Sequence, residues 1–408
     1  MKKKLTVIIC LLLAGAMVLG GCSLVESQED ASATAAPDSS TANVVVAEVA
    51  GDPIYYDDYY AQFASVCAQM GISPDDETYA VYFKDSVIES MVSEKVLKKM
   101  LTDKGYMDLS DAQLAEAEQN AETDIKAYLE SSYKTEIEEK LGEGYTDEQY
   151  AAELESYKQL LLEGSGMTWE EVVESYTLSM AEEAAKADLV GDLEPTEEEV
   201  RAEYDEQVAA DKESMDEDPT IYESSAMSGS TVYYVPAGLR NVKQVLIKID
   251  DSTSEAISLL RDNALDAQAD ILLEKALADI QAKADEVLAK LQSGEITFDQ
   301  AITDYNDDEG MPEAGYAVSQ GSDTYMEPFT TGAMALAKAG DVSGLVATDY
   351  GYHILQYAGD LTPGAVDYET LKAGIKETLK TTLQDEKWTS ITEDWKTQSN
   401  VVYYKENY

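Results

Sequence analysis

A chain of 408 residues with 81 acidic against 29 basic side chains, a formal charge of −52, is long enough for two compact domains. It is far too acidic to hold nucleic acid or to adhere to anionic lipid by charge. A single histidine, His353, removes most zinc sites and Ser/His or Cys/His nucleophile systems, and there is no Asp-rich loop with calcium-binding spacing. No metal and no other cofactor is expected, and the acidity reads as a solvated surface.

The chain opens with Lys2-Lys3-Lys4, an apolar run from Leu5 to Leu19, and then Gly20-Gly21-Cys22. A run of about 15 apolar residues is short for a membrane span and carries the flanks of an export signal. The junction resembles the lipobox of bacterial lipoproteins. That resemblance implies a signal peptide over 1–22, a lipid on the Cys22 thiol, and a mature protein held on the outer face of a membrane. Two or three acyl chains suffice for stable anchoring, where one would be marginal. Loss of the three signal lysines leaves 26 basic against 81 acidic residues. Cys10 leaves with the signal and Cys22 is acylated, so Cys67 stands alone and no internal disulfide forms. Stability must then come from packing, with Cys67 a small buried side chain.

Residues 23–43, rich in Ser, Ala, Thr and Asp, read as a flexible tether. Val44 to Val49 reads as a strand, Ala50 to Pro53 as a turn, and a helix starts near Tyr55. Helical patterning then dominates. Val87, Ile88, Met91, Val92, Val96, Leu97 and Met100 form an apolar stripe at helical spacing. Ser110/Gln113, Thr146/Gln149, Thr168/Glu171 and Thr196/Glu199 have the spacing of capping boxes, each marking a helix start. Near Pro219 the text changes. Ser224 to Ser230 reads as a small-residue linker, and Thr231–Val235 and Val242–Ile249 as strands. Ala256 to Leu291 reads as one long or two shorter helices stopped by Gly294, and Phe298 to Tyr305 as a short helix. A Gly-, Asp- and Ser-rich loop, short strands ending in Gly351 to Tyr357, and a last amphipathic helix with Leu371, Ile375, Leu379, Leu383, Trp388 and Trp395 complete the chain. A polar tail with Val401 to Tyr404 follows.

The expected fold class is α+β: a predominantly helical body, built from the N-terminal segment and the C-terminal helix, carrying an inserted α/β domain. The expected boundaries are 44–230 for the helical part, 231–358 for the insert and 359–408 for the returning helix.

The insert resembles the parvulin family of peptidyl-prolyl isomerases. The resemblance rests on Gln244-Val245-Leu246-Ile247, a helix ending at Gly294, Phe298 to Tyr305, Asn306-Asp307-Asp308 and Met326-Glu327-Pro328-Phe329. It is carried furthest by Ala339 to Ser343 followed by Thr348-Asp349-Tyr350-Gly351-Tyr352-His353-Ile354. The whole layout is similar to that of the PrsA-like foldase lipoproteins and their SurA-like relatives. It implies prolyl isomerisation of exported, unfolded chains containing X-Pro bonds, by a helical chaperone body. It assigns Gln244, Asp308, Thr348 and His353 to the catalytic network, and Tyr325, Met326, Phe329 and Met334 to the proline pocket. Membrane attachment through Cys22 and no nucleic acid belong to the same reading, which leaves a homodimer open. Two departures stand out. Gln244 replaces the family's first-strand His, and about 30 residues, Asp250 to Asp279, separate that strand from its helix. A holdase that uses the domain only for binding is therefore the alternative.

Overall fold

The computed structural model describes residues 43–76 and 78–408. Cys22, the signal and the tether lie outside the described residues. Two compact units are present, one formed by residues up to Glu194 together with Thr381–Tyr408, the other by Pro195–Lys380.

In the first unit, β1 (Val45–Val49) and β2 (Asp52–Tyr55) form a hairpin whose two turn residues, Ala50 and Gly51, both have positive φ (52° and 81°). A turn of that hand matches the twist of the strands it joins. The segment expected as a turn up to Pro53 therefore becomes a short edge strand. Pro53 is tolerated there because an edge position needs no ladder N–H. Helices α1 (Tyr56–Gln69) and α2 (Val81–Asp103) pack their apolar stripes onto this hairpin, burying Tyr59, Phe63, Cys67, Val87, Ile88, Val92 and Val96. Cys67 is buried and free.

Three further helices, α3 (Asp111–Leu141), α4 (Asp147–Ser165) and α5 (Trp169–Val190), enclose a second cluster around Ile125, Leu129, Leu154, Leu161 and Val172. Each begins at a reciprocal capping box of the sequence, on Ser110, Thr146 and Thr168, and such a cap stabilises a helix by about 1 kcal/mol. Trp388 and Trp395, near the end of the last helix, stack edge to face at 5.3 Å inside the first cluster. The tail beyond it is not a free polar end. Val402–Tyr403 forms β9, which pairs with β1 because Val401 and Tyr403 pack on the same core. The N-terminal strand and the C-terminal helix thus fold together, as the layout implied.

The second unit starts with α6 (Glu197–Glu217), capped by Thr196, and α7 (Thr220–Ser228). Its first residues, Val200 and Tyr204, pack on Ile375 of α12 (Tyr368–Gln398), so the compact unit begins well before the expected boundary at 230. The Ser224–Ser230 stretch is helical up to Ser228 and is not a linker. Ser, Ala and Met tolerate a helix, and Glu223 anchors this one by bonds described below. Strands β3 (Tyr234–Val235) and β8 (Gly364–Ala365) pair beside the main sheet.

That main sheet is antiparallel, in the order β5 (Tyr316–Val318), β4 (Arg240–Lys248), β7 (Gly351–Asp360), β6 (Val342–Thr348). The register places Leu246 opposite His353 and Gln244 opposite Leu355. Alternation then sends Val245, Ile247 and Ile354 to one face, under α9 (Asp266–Ser293) and α10 (Phe298–Tyr305). Val242, Leu355 and Tyr357 go to the other face, under α11 (Glu327–Met334). The extra residues after β4 fold as α8 (Asp251–Asp262) and the first part of α9, with a small core of their own at Ile249, Ile257, Ala269 and Leu277. Arg261 of α8 holds the β6–β7 turn with two 3.1 Å bonds to Asp349. Gly351 ends that turn at φ 139°, where a Cβ would lie 2.2 Å from the Ile247 carbonyl oxygen, so the glycine of the Thr-x-x-Gly-x-His-Ile run permits the strands' close approach.

Candidate functional site

The face of the main sheet under α11 also carries a row of polar side chains that the register brings side by side. Gln244 on β4 and His353 on β7 are both nearly buried, and Gln244 Oε1 lies 2.5 Å from His353 Nδ1. His353 Nε2 lies 2.6 Å from the Thr348 hydroxyl at the end of β6. On the other side, Gln244 Nε2 donates to Asp308 Oδ2 at 2.6 Å, and the Tyr316 hydroxyl donates to the same oxygen at 2.7 Å. Asp308 Oδ1 accepts from the Gly310 N–H at 3.1 Å.

The carboxylate fixes the direction of this chain. Asp308 only accepts when ionised, so Gln244 turns its NH2 toward it and its carbonyl oxygen toward His353. The imidazole then carries its proton on Nδ1, and Nε2 accepts from Thr348. Thr348 Oγ1 in turn accepts the Tyr350 N–H at 3.2 Å. Every member is satisfied with a neutral imidazole. Burial lowers the His353 pKa to about 4, and the Asp308 charge pulls it back only in part. Burial first, then the bond to Asp308, raises the Tyr316 pKa, so its hydroxyl remains a donor.

Asp308 itself is held by its neighbours. Asn306 Oδ1 accepts the Leu246 N–H at 2.8 Å and Asn306 Nδ2 donates to the Asp308 carbonyl at 2.8 Å, which pins the loop after α10 to β4. Asp308 is therefore a partly buried, triply bonded carboxylate and not a side chain of a freely exposed loop. Gly315, at φ 85°, allows the loop before β5 to pass directly over β4, since a Cβ there would sit 2.6 Å from the Val242 carbonyl oxygen.

Beside this network lies a cavity of about 370 Å³. Phe329, Tyr325, Met326 and Tyr316 form its apolar wall, and the Phe329 ring stands edge-on to His353 at 5.5 Å and 5.3 Å from Tyr325. Burial, and to a smaller extent Glu223, raises the Tyr325 pKa, and its hydroxyl donates to the Ala317 carbonyl at 2.9 Å. Seven of the eight expected side chains thus line one cavity: Gln244, Asp308, Thr348, His353, Tyr325, Met326 and Phe329. Met334 does not. It sits one turn and more beyond Phe329 on α11, packed with the Val242, Leu355 and Tyr357 cluster. Tyr316, Met227, Leu246, Lys248 and Tyr350 also line it, and sequence reasoning did not single them out. Tyr316 had one available signal, its place directly after the Gly315 turn.

The buried imidazole gives a clean pH prediction, because His353 is the only histidine of the chain. Its folded pKa of about 4 lies below the usual 6.5. Between those values the unfolded chain binds a proton that the folded chain does not, so stability is greatest above pH 6.5 and falls as pH drops toward 4. The loss from this group amounts to about 3 kcal/mol. The one imidazole signal in an NMR titration is expected to remain that of the Nδ1–H tautomer down to about pH 5. A midpoint near 6.5 would contradict the network.

Residues 265–359 match the PPIC-type peptidyl-prolyl isomerase (rotamase) domain family. The match begins between α8 and α9, leaving β4 and Gln244 upstream of it. The foldase protein PrsA of Clostridium perfringens is 25% identical over 236 residues, 54% of this chain and 68% of that protein. Foldase protein PrsA 1 of Listeria monocytogenes is 33% identical over 122 residues, 30% of this chain and 41% of the relative. Among solved structures, the foldase protein PrsA of Streptococcus pneumoniae aligns over 89% of this chain and 97% of its own, at 17% identity and a TM-score of 0.29.

Proposed function

We propose that this chain, a PrsA-like protein with a parvulin-type isomerase domain, catalyses cis–trans isomerisation of X-Pro bonds in exported proteins and assists their folding outside the cytoplasm. The observation that carries this reading is the continuous chain Thr348–His353–Gln244–Asp308–Tyr316 set against an apolar wall centred on Phe329.

The reaction needs no nucleophile and no metal. Amide resonance imposes a barrier of roughly 20 kcal/mol, and the unaided step takes tens of seconds or longer. Resonance also places negative charge on the carbonyl oxygen and positive charge on the nitrogen. A pocket that strips water from the prolyl ring, with a fixed carboxylate beside the amide, favours the twisted form, in which that charge separation has collapsed. Phe329, Tyr325 and Met326 supply the apolar wall and Asp308 the carboxylate. Gln244, Tyr316, His353 and Thr348 hold Asp308 in place with no net charge of their own. Gln244, the departure that argued for a binding-only module, completes the network, since an amide both donates and accepts.

No helix among the described residues is long and apolar enough to cross a membrane. We propose attachment through lipid on Cys22, with the flanking helices of the first unit and the end of α12 acting as the chaperone body. A protease-coupled assay on residues 23–408, using a peptide with a single X-Pro bond, tests the catalytic reading. The slow phase is expected to accelerate at least about tenfold at micromolar protein. An unchanged slow phase would overturn it.

A further inference from the structure

The most deeply buried carboxylate among the described residues with no catalytic use is Glu223, and it lies upstream of the isomerase fold, on α7. It is fully buried. One oxygen accepts the Ser319 N–H at 2.6 Å and the other accepts from the Ser322 hydroxyl. Those serines belong to the loop that follows β5 and leads into Thr324, Tyr325 and Met326, three residues of the cavity wall. Ser322 also uses its backbone: its carbonyl accepts the Thr330 hydroxyl of α11 at 3.1 Å. The carboxylate therefore fixes α7 and the loop to each other through two donors of the loop.

One helical turn after Glu223, at i+4 and so on the same face, is Met227. It lines the cavity, yet 54% of it is exposed. Tyr350, 53% exposed, is the other large hydrophobic side chain of the lining left open to water. The floor is closed by buried Phe329, His353, Thr348 and Gln244.

We propose that a prolyl ring seats on the Phe329 wall with the residue before it against Met227 and Tyr350, so that α7 is part of the isomerase site: Glu223 anchors it, and Met227, with Tyr350, selects an apolar residue before the proline. The proposal rests on the isomerase reading and adds a specificity determinant from outside the matched domain. Both residues at the mouth stand in the unit that holds the cavity, and their exposure leaves contact area to be covered by substrate.

The test compares Xaa-Pro peptides with Xaa as Ala, Leu and Glu on residues 23–408. The native protein is expected to favour Leu over Ala and Glu in kcat/KM. Met227→Ala, an exposed change, is expected to cut the Leu-to-Ala ratio in kcat/KM at least about threefold. Glu223→Gln offers one acceptor where two donors converge, and is expected to lose the same ratio through a higher KM. An unchanged ratio in Met227→Ala, or an equal fall for all peptides, would overturn the specificity role. A retained ratio in folded Glu223→Gln would overturn the anchoring. Titration of the Met227 methyl resonance with the Leu-Pro peptide separates this inference from the catalytic one. A shift without catalysis sinks only the isomerase reading, and catalysis without a shift sinks only the Met227 contact.

Discussion

Phe329→Ala is expected to lower kcat/KM for X-Pro isomerisation by at least about tenfold and to destabilise the isomerase unit by about 3–5 kcal/mol. Phe329 is only 4% exposed and is the ring that the other aromatics of the site address. His353 meets it edge-on at 5.5 Å, Tyr325 at 5.3 Å and Tyr316 at 6.4 Å. Truncation removes the apolar wall from the cavity and opens a void behind it among Val242, Val318, Ala333 and Leu355. The transition state loses desolvation that water cannot replace, and a tenfold loss corresponds to about 1.4 kcal/mol. Phe329→Leu separates the two effects. It keeps most of the volume and stability but not the ring contacts, so activity is expected to fall further than the unfolding midpoint in urea.

Gln244→Leu is the second large change. It leaves the His353 Nδ1–H without its acceptor and takes one of the two donors from Asp308 Oδ2. Each unsatisfied buried polar group costs about 1–3 kcal/mol, and the Asp308 loop loses one of the bonds that aim its carboxylate. Activity is expected to fall at least about tenfold, with a lower urea midpoint. Gln244→His is the informative contrast. An imidazole there accepts from His353 on one nitrogen and donates to Asp308 from the other, so the chain of bonds is preserved. Its rate is expected to equal or exceed that of the natural protein. A rate below that of Gln244→Leu would show that the amide does something other than bridge.

What the sequence revealed and what it hid follow from the range of each signal. The helix starts at Ser110, Thr146, Thr168 and Thr196 were legible because a capping box is complete within four residues. The joining of the C-terminal helix to the N-terminal core was legible from the layout, since helical segments on both sides of an inserted domain tend to fold together as one body. That Gln244, Asp308, Thr348 and His353 meet in one hydrogen-bonded row was legible only through a family resemblance, since Gln244 and His353 stand 109 residues apart and periodicity says nothing of their meeting. Ser224–Ser230 misled because its composition suits a linker. What local composition does not show is the long-range contact that ties α7 to the sheet's loop, Glu223 with Ser319 and Ser322. Met334 misled for the opposite reason: it is close to Phe329 in sequence and packs in the same cluster, but it does not line the cavity. The compact unit begins at Pro195 because Val200 and Tyr204 find Ile375, a pairing of distant stretches that no local pattern announces.

The most direct test of the central claim is exchange spectroscopy at equilibrium on a peptide with one X-Pro bond, in the presence of residues 23–408. Without catalysis, exchange between cis and trans takes tens of seconds and gives no cross-peaks at sub-second mixing times. Cross-peaks between the two isomers are expected with the natural protein and are expected to vanish with Phe329→Ala. Their absence with the natural protein, while the peptide's resonances still broaden or shift on binding, would contradict catalysis and leave a chaperone that holds prolyl segments without turning them.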